Sequence, residues 1–368
     1  MILTLLFFAA CFLGYTNGAN DNFKGVATLF GSNTTNYKNA ISWATVTTFA
    51  GSIVAIFLAG ELIRNFSGKG LVPDELIQMP VFAISIALGA AATVFIATKI
   101  GMPISTTHSL VGGLFGVGLI AVGSEFDFKR LGDVFLIPLL LSPLIACVLS
   151  FGSYFLLNKA RKLSGIKKSS CICVDSAIPA LESTTTLNFQ SGGIKINSCQ
   201  KSSCNENYEG QILGITAQKV LDSLHFLSAG AVSFARGLND TPKIVGLLLV
   251  INSLDVRLGC FAIGLAMAVG GLLNAKKVGI TISKKITPMN SGQGFTANLI
   301  TALLVSTASV NGLPVSTTHV SVGSIFGIGT ITGKADLRMI LKIVLSWILT
   351  LPIAAAAGCL VFYLLQNL

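Results

Sequence analysis

Gly101-Met102-Pro103-Ile104-Ser105-Thr106-Thr107-His108 occurs twice in this chain, returning 211 positions later as Gly312-Leu313-Pro314-Val315-Ser316-Thr317-Thr318-His319. The correspondence runs on through Val111-Gly112, Phe115-Gly116 and Gly118, which meet Val322-Gly323, Phe326-Gly327 and Gly329. A match of this length makes the chain two related halves. In each copy a proline and a run of small hydroxyl residues precede an apolar, glycine-rich pattern. That order predicts a helix N-terminus whose free N–H groups and hydroxyls face a polar partner. An anion suits that end of a helix.

Composition says where these helices lie. Of 368 residues, 52% are hydrophobic and 11% charged, with a mean hydropathy of +0.77, outside the mixture typical of soluble domains. Apolar blocks at residues 39–60, 79–98, 131–157, 257–275 and 339–365 reach the ~20 residues that cross a hydrocarbon core. The first thirteen residues are apolar but lack a basic start and a small-x-small cleavage pattern, so they read as structure and not as a removable signal. The net charge of +10 sits in loops between apolar blocks, where the positive-inside rule places lysine and arginine. Nucleic acid is therefore not an expected partner; the lipid bilayer is.

A second pair of motifs extends the repeat. The first apolar block gives way to Tyr15-Thr16-Asn17-Gly18-Ala19-Asn20-Asp21-Asn22, and the second half has Arg236-Gly237-Leu238-Asn239-Asp240-Thr241-Pro242 between two apolar runs. Gly18, Asn20, Asp21, Lys24 and Val26 meet Gly237, Asn239, Asp240, Lys243 and Val245. Both polar stretches predict a broken membrane helix. The expected fold is an all-α integral membrane protein of about ten to twelve membrane segments. It is divided into a repeat at 1–157, a linker at 158–218 and a second repeat at 219–368. Five crossings per half would invert the second half. Loop charge agrees: residues 61–77 hold two basic and three acidic residues, whereas 276–288 hold four lysines and no acid. This places 276–288 and the linker in the cytoplasm and both termini outside. Inverted repeats with interrupted helices at matching positions point to a secondary transporter with a midplane site.

The linker is polar and contains Cys171-x-Cys173 and Cys199-x4-Cys204. Paired spacing alone, without histidine, favours reduced thiols over a metal site. Cys11, Cys147, Cys260 and Cys359 lie in apolar blocks, where cysteine packs as a small hydrophobe.

An aspartate inside a membrane segment is costly unless it is paired, solvated or bound to a cation, so Asp21 and Asp240 are expected at a functional site. One reading pairs them with Lys24 and Lys243, three residues on. The other makes Asn20-Asp21 and Asn239-Asp240 hard-oxygen sites for a small cation such as sodium. The hydroxyls of Ser105, Thr106, Thr107, Ser316, Thr317 and Thr318 either cap their helices or, as two facing sets, hold one tetrahedral oxyanion. Neutral donors would bind phosphate or sulfate and still release it. His108 and His319 are expected to orient the hydroxyl run, with titration and packing as the other readings. A hydrolase is not expected: no Gly-x-Ser-x-Gly elbow is present, and Ser105 and His108 share one helical turn without an arranged acid. Acidic cation sites beside anion sites favour coupled transport over a channel.

Gly18-Ala19-Asn20-Asp21, Gly237-Leu238-Asn239-Asp240 and the two Pro-x-Ser-Thr-Thr-His runs resemble the inorganic phosphate transporter (PiT) family. The resemblance implies cation-coupled phosphate uptake at the plasma or inner membrane. Ser105, Thr106, Thr107, Ser316, Thr317 and Thr318 would then hold phosphate. Asn20, Asp21, Asn239 and Asp240 would hold the coupling sodium. It also implies a homodimer and no resident cofactor, and leaves proton-coupled, metal-phosphate and sulfate carriers as the alternatives. The second copy reads Asn239-Asp240-Thr241-Pro242 where many relatives have Asn-Asp-Val-Ala, so the two cation sites are expected to differ locally.

Overall fold

Backbone polar groups in hydrocarbon must find partners within their own segment, which is why the apolar blocks become helices. The computed structural model describes residues 1–169, 207–212, 214–285 and 289–367, and among these ten helices are sixteen residues or longer. Five belong to the first half: α1 (Ile2–Asp21), α2 (Tyr37–Leu58), α3 (Pro80–Ile100), α4 (Thr106–Val122) and α5 (Ile137–Leu163). Five belong to the second: α6 (Ala217–Val245), α7 (Val256–Asn274), α8 (Ser291–Val310), α9 (Thr317–Thr332) and α10 (Leu337–Gln366). Seven stretches among the described residues are long and apolar enough to cross a membrane: α2, α3, α7 and α10, and the extended spans Ile2–Gly31, Thr106–Glu125 and Phe128–Leu163. Of the others, α6 and α8 carry more polar residues and α9 is short. The molecule is a multi-pass helical membrane protein. Its outer surface agrees, since Leu140, Leu144 and Val148 line an exposed face of α5 at helical spacing, as suits hydrocarbon.

Several expected boundaries move. The helices do not break at residues 15–22 or 236–242: α1 stays helical through Asp21 and α6 through Val245. Only afterwards does each tighten into 3-10 turns, at Asn22–Val26 and Gly246–Val250. The polar side chains that resemble stop signals are satisfied laterally by other helices, so the backbone has no reason to unwind. The linker is helical at both margins, because α5 runs to Leu163 and α6 starts at Ala217. Its ends are tied by a short antiparallel pair, β1 (Lys167–Ser169) with β2 (Asn207–Glu209), and a second pair, β3 (Gln211–Ile212) with β4 (Ile215–Thr216), lies just before α6. Within the lysine-rich loop lies the helix Lys276–Lys285. Cys171, Cys173, Cys199 and Cys204 lie outside the described residues.

The packing interleaves the halves. α1 packs on α3 and on α7, and α6 correspondingly packs on α8 and on α2; α4 lies against α10, and α9 against α5. Glycine permits the two closest crossings. A methyl group at Gly18 would overlap the Met267 carbonyl of α7, and one at Gly270 would overlap the Tyr15 carbonyl of α1. The equivalent crossing brings Gly237 against the Thr48 carbonyl and Gly51 against the Phe234 carbonyl. Small residues at such crossings let backbones approach where lipid gives no hydrophobic drive between helices.

Candidate functional site

The two motif helices meet end to end. Gly101 and Gly312 take the left-handed conformation, at φ 75° and 69°, and turn the chain from α3 into α4 and from α8 into α9. Ser105 and Ser316 are the N-caps: each hydroxyl accepts from the backbone N–H three residues on, of His108 at 3.2 Å and of His319 at 3.3 Å. The capping reading therefore holds for both serines. Yet Ser105 Oγ also donates to Ser316 Oγ at 2.8 Å, so the positive ends of α4 and α9 converge on one buried point. The threonines cross between halves. Thr107 donates to the Val315 carbonyl and Thr318 to the Ile104 carbonyl, both at 3.4 Å. Thr106 Oγ1 donates to Asp21 Oδ2 at 3.0 Å, and Thr317 Oγ1 accepts from Asn239 at 3.2 Å.

The asparagine-aspartate pairs join the same network. Asn20 fixes the loop before Ser105: its amide donates to Thr98 and to the Met102 carbonyl, both at 3.0 Å, and its oxygen accepts from the Ile104 N–H at 3.2 Å. Asn239 does the same in its half, donating to the Val315 carbonyl at 3.1 Å and accepting from Ser309 at 3.1 Å. All ten residues singled out in the sequence thus belong to one buried cluster.

The aspartates are also ion-paired. Lys24 Nζ lies 2.5 Å from Asp21 Oδ1, and Lys243 Nζ lies 3.4 Å from Asp240 Oδ1. Each ammonium has two more oxygens, one from each half. Lys24 reaches the Ile104 carbonyl at 2.6 Å and Thr318 Oγ1 at 2.7 Å, and Lys243 the Val315 carbonyl at 2.6 Å and Thr107 Oγ1 at 2.7 Å. The lysine pairs are therefore formed, and each lysine also touches a threonine of the other half's motif.

Arg236, which opens the second polar stretch but is not among the ten expected site residues, joins the same cluster. Its guanidinium is fully buried, with Nη2 donating to Asn17 Oδ1 at 2.5 Å, Nη1 to Asn22 Oδ1 at 3.0 Å, and Nε 3.7 Å from Asp240 Oδ2. Asn17 in turn donates to Asp21 Oδ2 at 3.3 Å and to Asp240 Oδ2 at 3.2 Å, so it clasps both carboxylates. The enclosed centre holds three cationic side chains (Lys24, Arg236, Lys243) and two anionic ones (Asp21, Asp240), a balance that favours an anion. A lone arginine in an apolar run is the signal that marks this residue.

The histidines do not orient the hydroxyls. Neither imidazole bonds to the serine-threonine run among the described residues; the rings of His108 and His319 pack at 4.3 Å between centroids, and His319 stacks on Trp347 at 3.7 Å. Nδ1 of His319 lies 3.3 Å from the Leu139 carbonyl. They wedge the two helices together one turn behind the serines.

The model of the phosphate transporter family matches residues 17–358. Two proteins named "putative phosphate permease" are similar over nearly their full length. The one from Haemophilus influenzae is 28% identical, covering 97% of this chain and 95% of the relative. The one from Pyrococcus abyssi is 25% identical, covering 99% and 98%. A solved structure, "The sodium-dependent phosphate transporter", superposes with a TM-score of 0.78 at 22% identity over 100% of this chain and 99% of that one, and so shares the fold.

Proposed function

Because the chain belongs to the phosphate transporter family, we propose that it takes up inorganic phosphate by cation symport, with alternating access at the point where the two halves meet. The observation that carries this reading is the 2.8 Å contact between Ser105 and Ser316, which sets two capped helix N-termini face to face. Phosphate parts the two serines and takes their hydroxyls, those of Thr106, Thr107, Thr317 and Thr318, and the helix-end N–H groups. The hydroxyls are neutral and can re-pair with one another, so release carries no large penalty.

Sodium is the proposed coupling ion, held as cargo by the carboxylates of Asp21 and Asp240 with the amide oxygens of Asn20 and Asn239 alongside. The oxygen chemistry fits, since an amide oxygen that accepts one hydrogen bond keeps a second lone pair. Moving an anion into a negative interior costs ~2.3 kcal/mol per charge per 100 mV, which a co-transported cation offsets. A proton as coupling ion is the second reading, favoured by the Lys24–Asp21 pair, which fills the first site with a cation of the chain's own.

In this reading residues 1–157 and 219–368 are inverted repeats that rock about the site in a plasma or inner membrane. The linker at 158–218 faces the cytoplasm, the termini lie outside, and two copies form a dimer. The corresponding packing of the two halves supports the repeat. Purified protein in vesicles, given labelled phosphate with sodium and proton gradients imposed separately, tests the function. Accumulation above the external concentration under an inward sodium gradient is expected, with weak competition by sulfate. Uptake that follows only the proton gradient replaces sodium by the second reading, and equilibration without accumulation makes the protein a channel. A cysteine placed at exposed Lys277 checks sidedness, because an impermeant reagent added outside intact cells should leave it unlabelled.

A further inference from the structure

Each lysine of the centre occupies an oxygen cage built from one carboxylate, one backbone carbonyl and one threonine hydroxyl. For Lys24 these are Asp21, Ile104 and Thr318, at 2.5, 2.6 and 2.7 Å. For Lys243 they are Asp240, Val315 and Thr107, at 3.4, 2.6 and 2.7 Å. This donor set is the one a sodium ion would use. The hydroxyl in each cage belongs to the other half's serine-threonine triplet. Each ammonium therefore touches a cation site with one face and the phosphate site with the other. Both side chains are buried, so neither charge has water to retreat to. A sodium ion and an ammonium cannot share one such cage, because like charges at contact distance repel strongly where the dielectric is low.

We propose that Lys24 and Lys243 are exchangeable counter-ions: sodium displaces each ammonium from its aspartate, and the freed ammonium turns to phosphate bound between the two triplets. The proposal rests on the sodium-phosphate reading of the site. Sodium arriving alone leaves a buried ammonium without an anion. Phosphate arriving alone draws the ammonium away and leaves a buried carboxylate without a cation. Each ligand thereby removes the obstacle to the other, and linkage makes the effect reciprocal. Only the lysine head group moves, on a flexible four-carbon stem, and its threonine contact already points toward the phosphate site.

Sodium binding to the purified full chain, measured with labelled sodium and with or without saturating phosphate, tests this. In the unsubstituted protein phosphate is expected to tighten sodium binding about ten-fold or more. Lys24→Met is expected to bind sodium without phosphate at least about ten-fold more tightly than the parent, to show little further gain from phosphate, and to bind phosphate more weakly. Lys24→Gln, which keeps a hydrogen-bonding head, and Lys243→Met at the looser second pair should shift in the same direction. If the folded variants bind sodium no more tightly than the parent, or keep the parent's phosphate effect, the lysines are fixed structural ties and the exchange is wrong. The same conclusion follows if none of the three variants folds. Absence of any sodium-phosphate linkage in the unsubstituted protein instead removes the underlying sodium reading, and the exchange with it.

Discussion

Positions 17, 20, 21 and 24 in the first half correspond to 236, 239, 240 and 243 in the second, and the two sets differ in charge at one place: Asn17 faces Arg236. The asparagine has no charge to offer and bridges both carboxylates with its amide. Arg236 adds a second cation beside Asp240. The lysine distances follow, 2.5 Å to Asp21, which has one cationic partner, and 3.4 Å to Asp240, which shares itself between two. A duplicated backbone therefore carries two unequal sites, and the inequality comes from one side chain. The difference expected at Thr241-Pro242 is smaller, because Thr241 finds Ser52 at 2.7 Å and Pro242 is accommodated inside α6.

Copying the first half into the second should have the largest effect. Arg236→Asn leaves Asp240 with a single, distant ammonium, removes the arginine donor from the Asn17 oxygen and leaves the Asn22 oxygen with Thr48. Loss of one member of a buried charge network costs ~3–5 kcal/mol. A marked fall in the thermal unfolding midpoint of the detergent-solubilised protein is expected, and an unchanged midpoint would show that the guanidinium is dispensable.

Asp21→Asn and Asp240→Asn act on the two unequal carboxylates directly. Both should abolish sodium-stimulated uptake, because each removes the only formal negative charge of its proposed cation site. They should differ in stability. Asp240→Asn leaves both Lys243 and Arg236 without their carboxylate and Asp21→Asn only Lys24, so the former is expected to lower the thermal unfolding midpoint further. Sodium stimulation that survives in the double variant would leave the aspartates as structural partners of the lysines alone.

Ser105→Ala and Ser316→Ala should have the smallest and most nearly equal effects, since the two serines face each other where the halves meet. Each removes one cap and one proposed phosphate donor, about 1 kcal/mol, or roughly a five-fold rise in half-saturating phosphate. A large disparity between them would mean that phosphate sits off-centre, against one helix end.

Much of this was legible in the chain itself. A twenty-residue repeat with serine, threonine and proline in fixed places locates both helix N-termini, because capping is a local affair. The aspartates are equally plain, since charge in an apolar run always needs a reason. Arg236 obeys the same rule and so was legible as a site residue, but its partner was not: Asn17 lies 219 residues away, and neither residue's neighbours point to the other. The helix through 15–22 was illegible for a related reason. Polar residues end a helix when their partners are water or their own backbone, whereas Asn17, Asn20 and Asp21 find theirs on other segments, from Met102 to Asp240. Local sequence does not record lateral satisfaction of this kind.

The interleaved helices set the order of assembly during synthesis. Gly18 on α1 is shaped for Met267 on α7, and Gly237 on α6 for Thr48 on α2, so the first five helices leave the ribosome with two of their closest contacts unmade. Roughly two hundred and fifty residues separate Gly18 from its partner, which at ~5–20 residues per second means on the order of ten seconds to a minute of waiting. Through that interval Asn17 and Asp21 sit in a half-built bundle, without the arginine and the second aspartate with which they will share a network. The first half is thus an unfinished template, and the nascent chain closes its charged interior only when α6 and α7 thread between helices already in the bilayer.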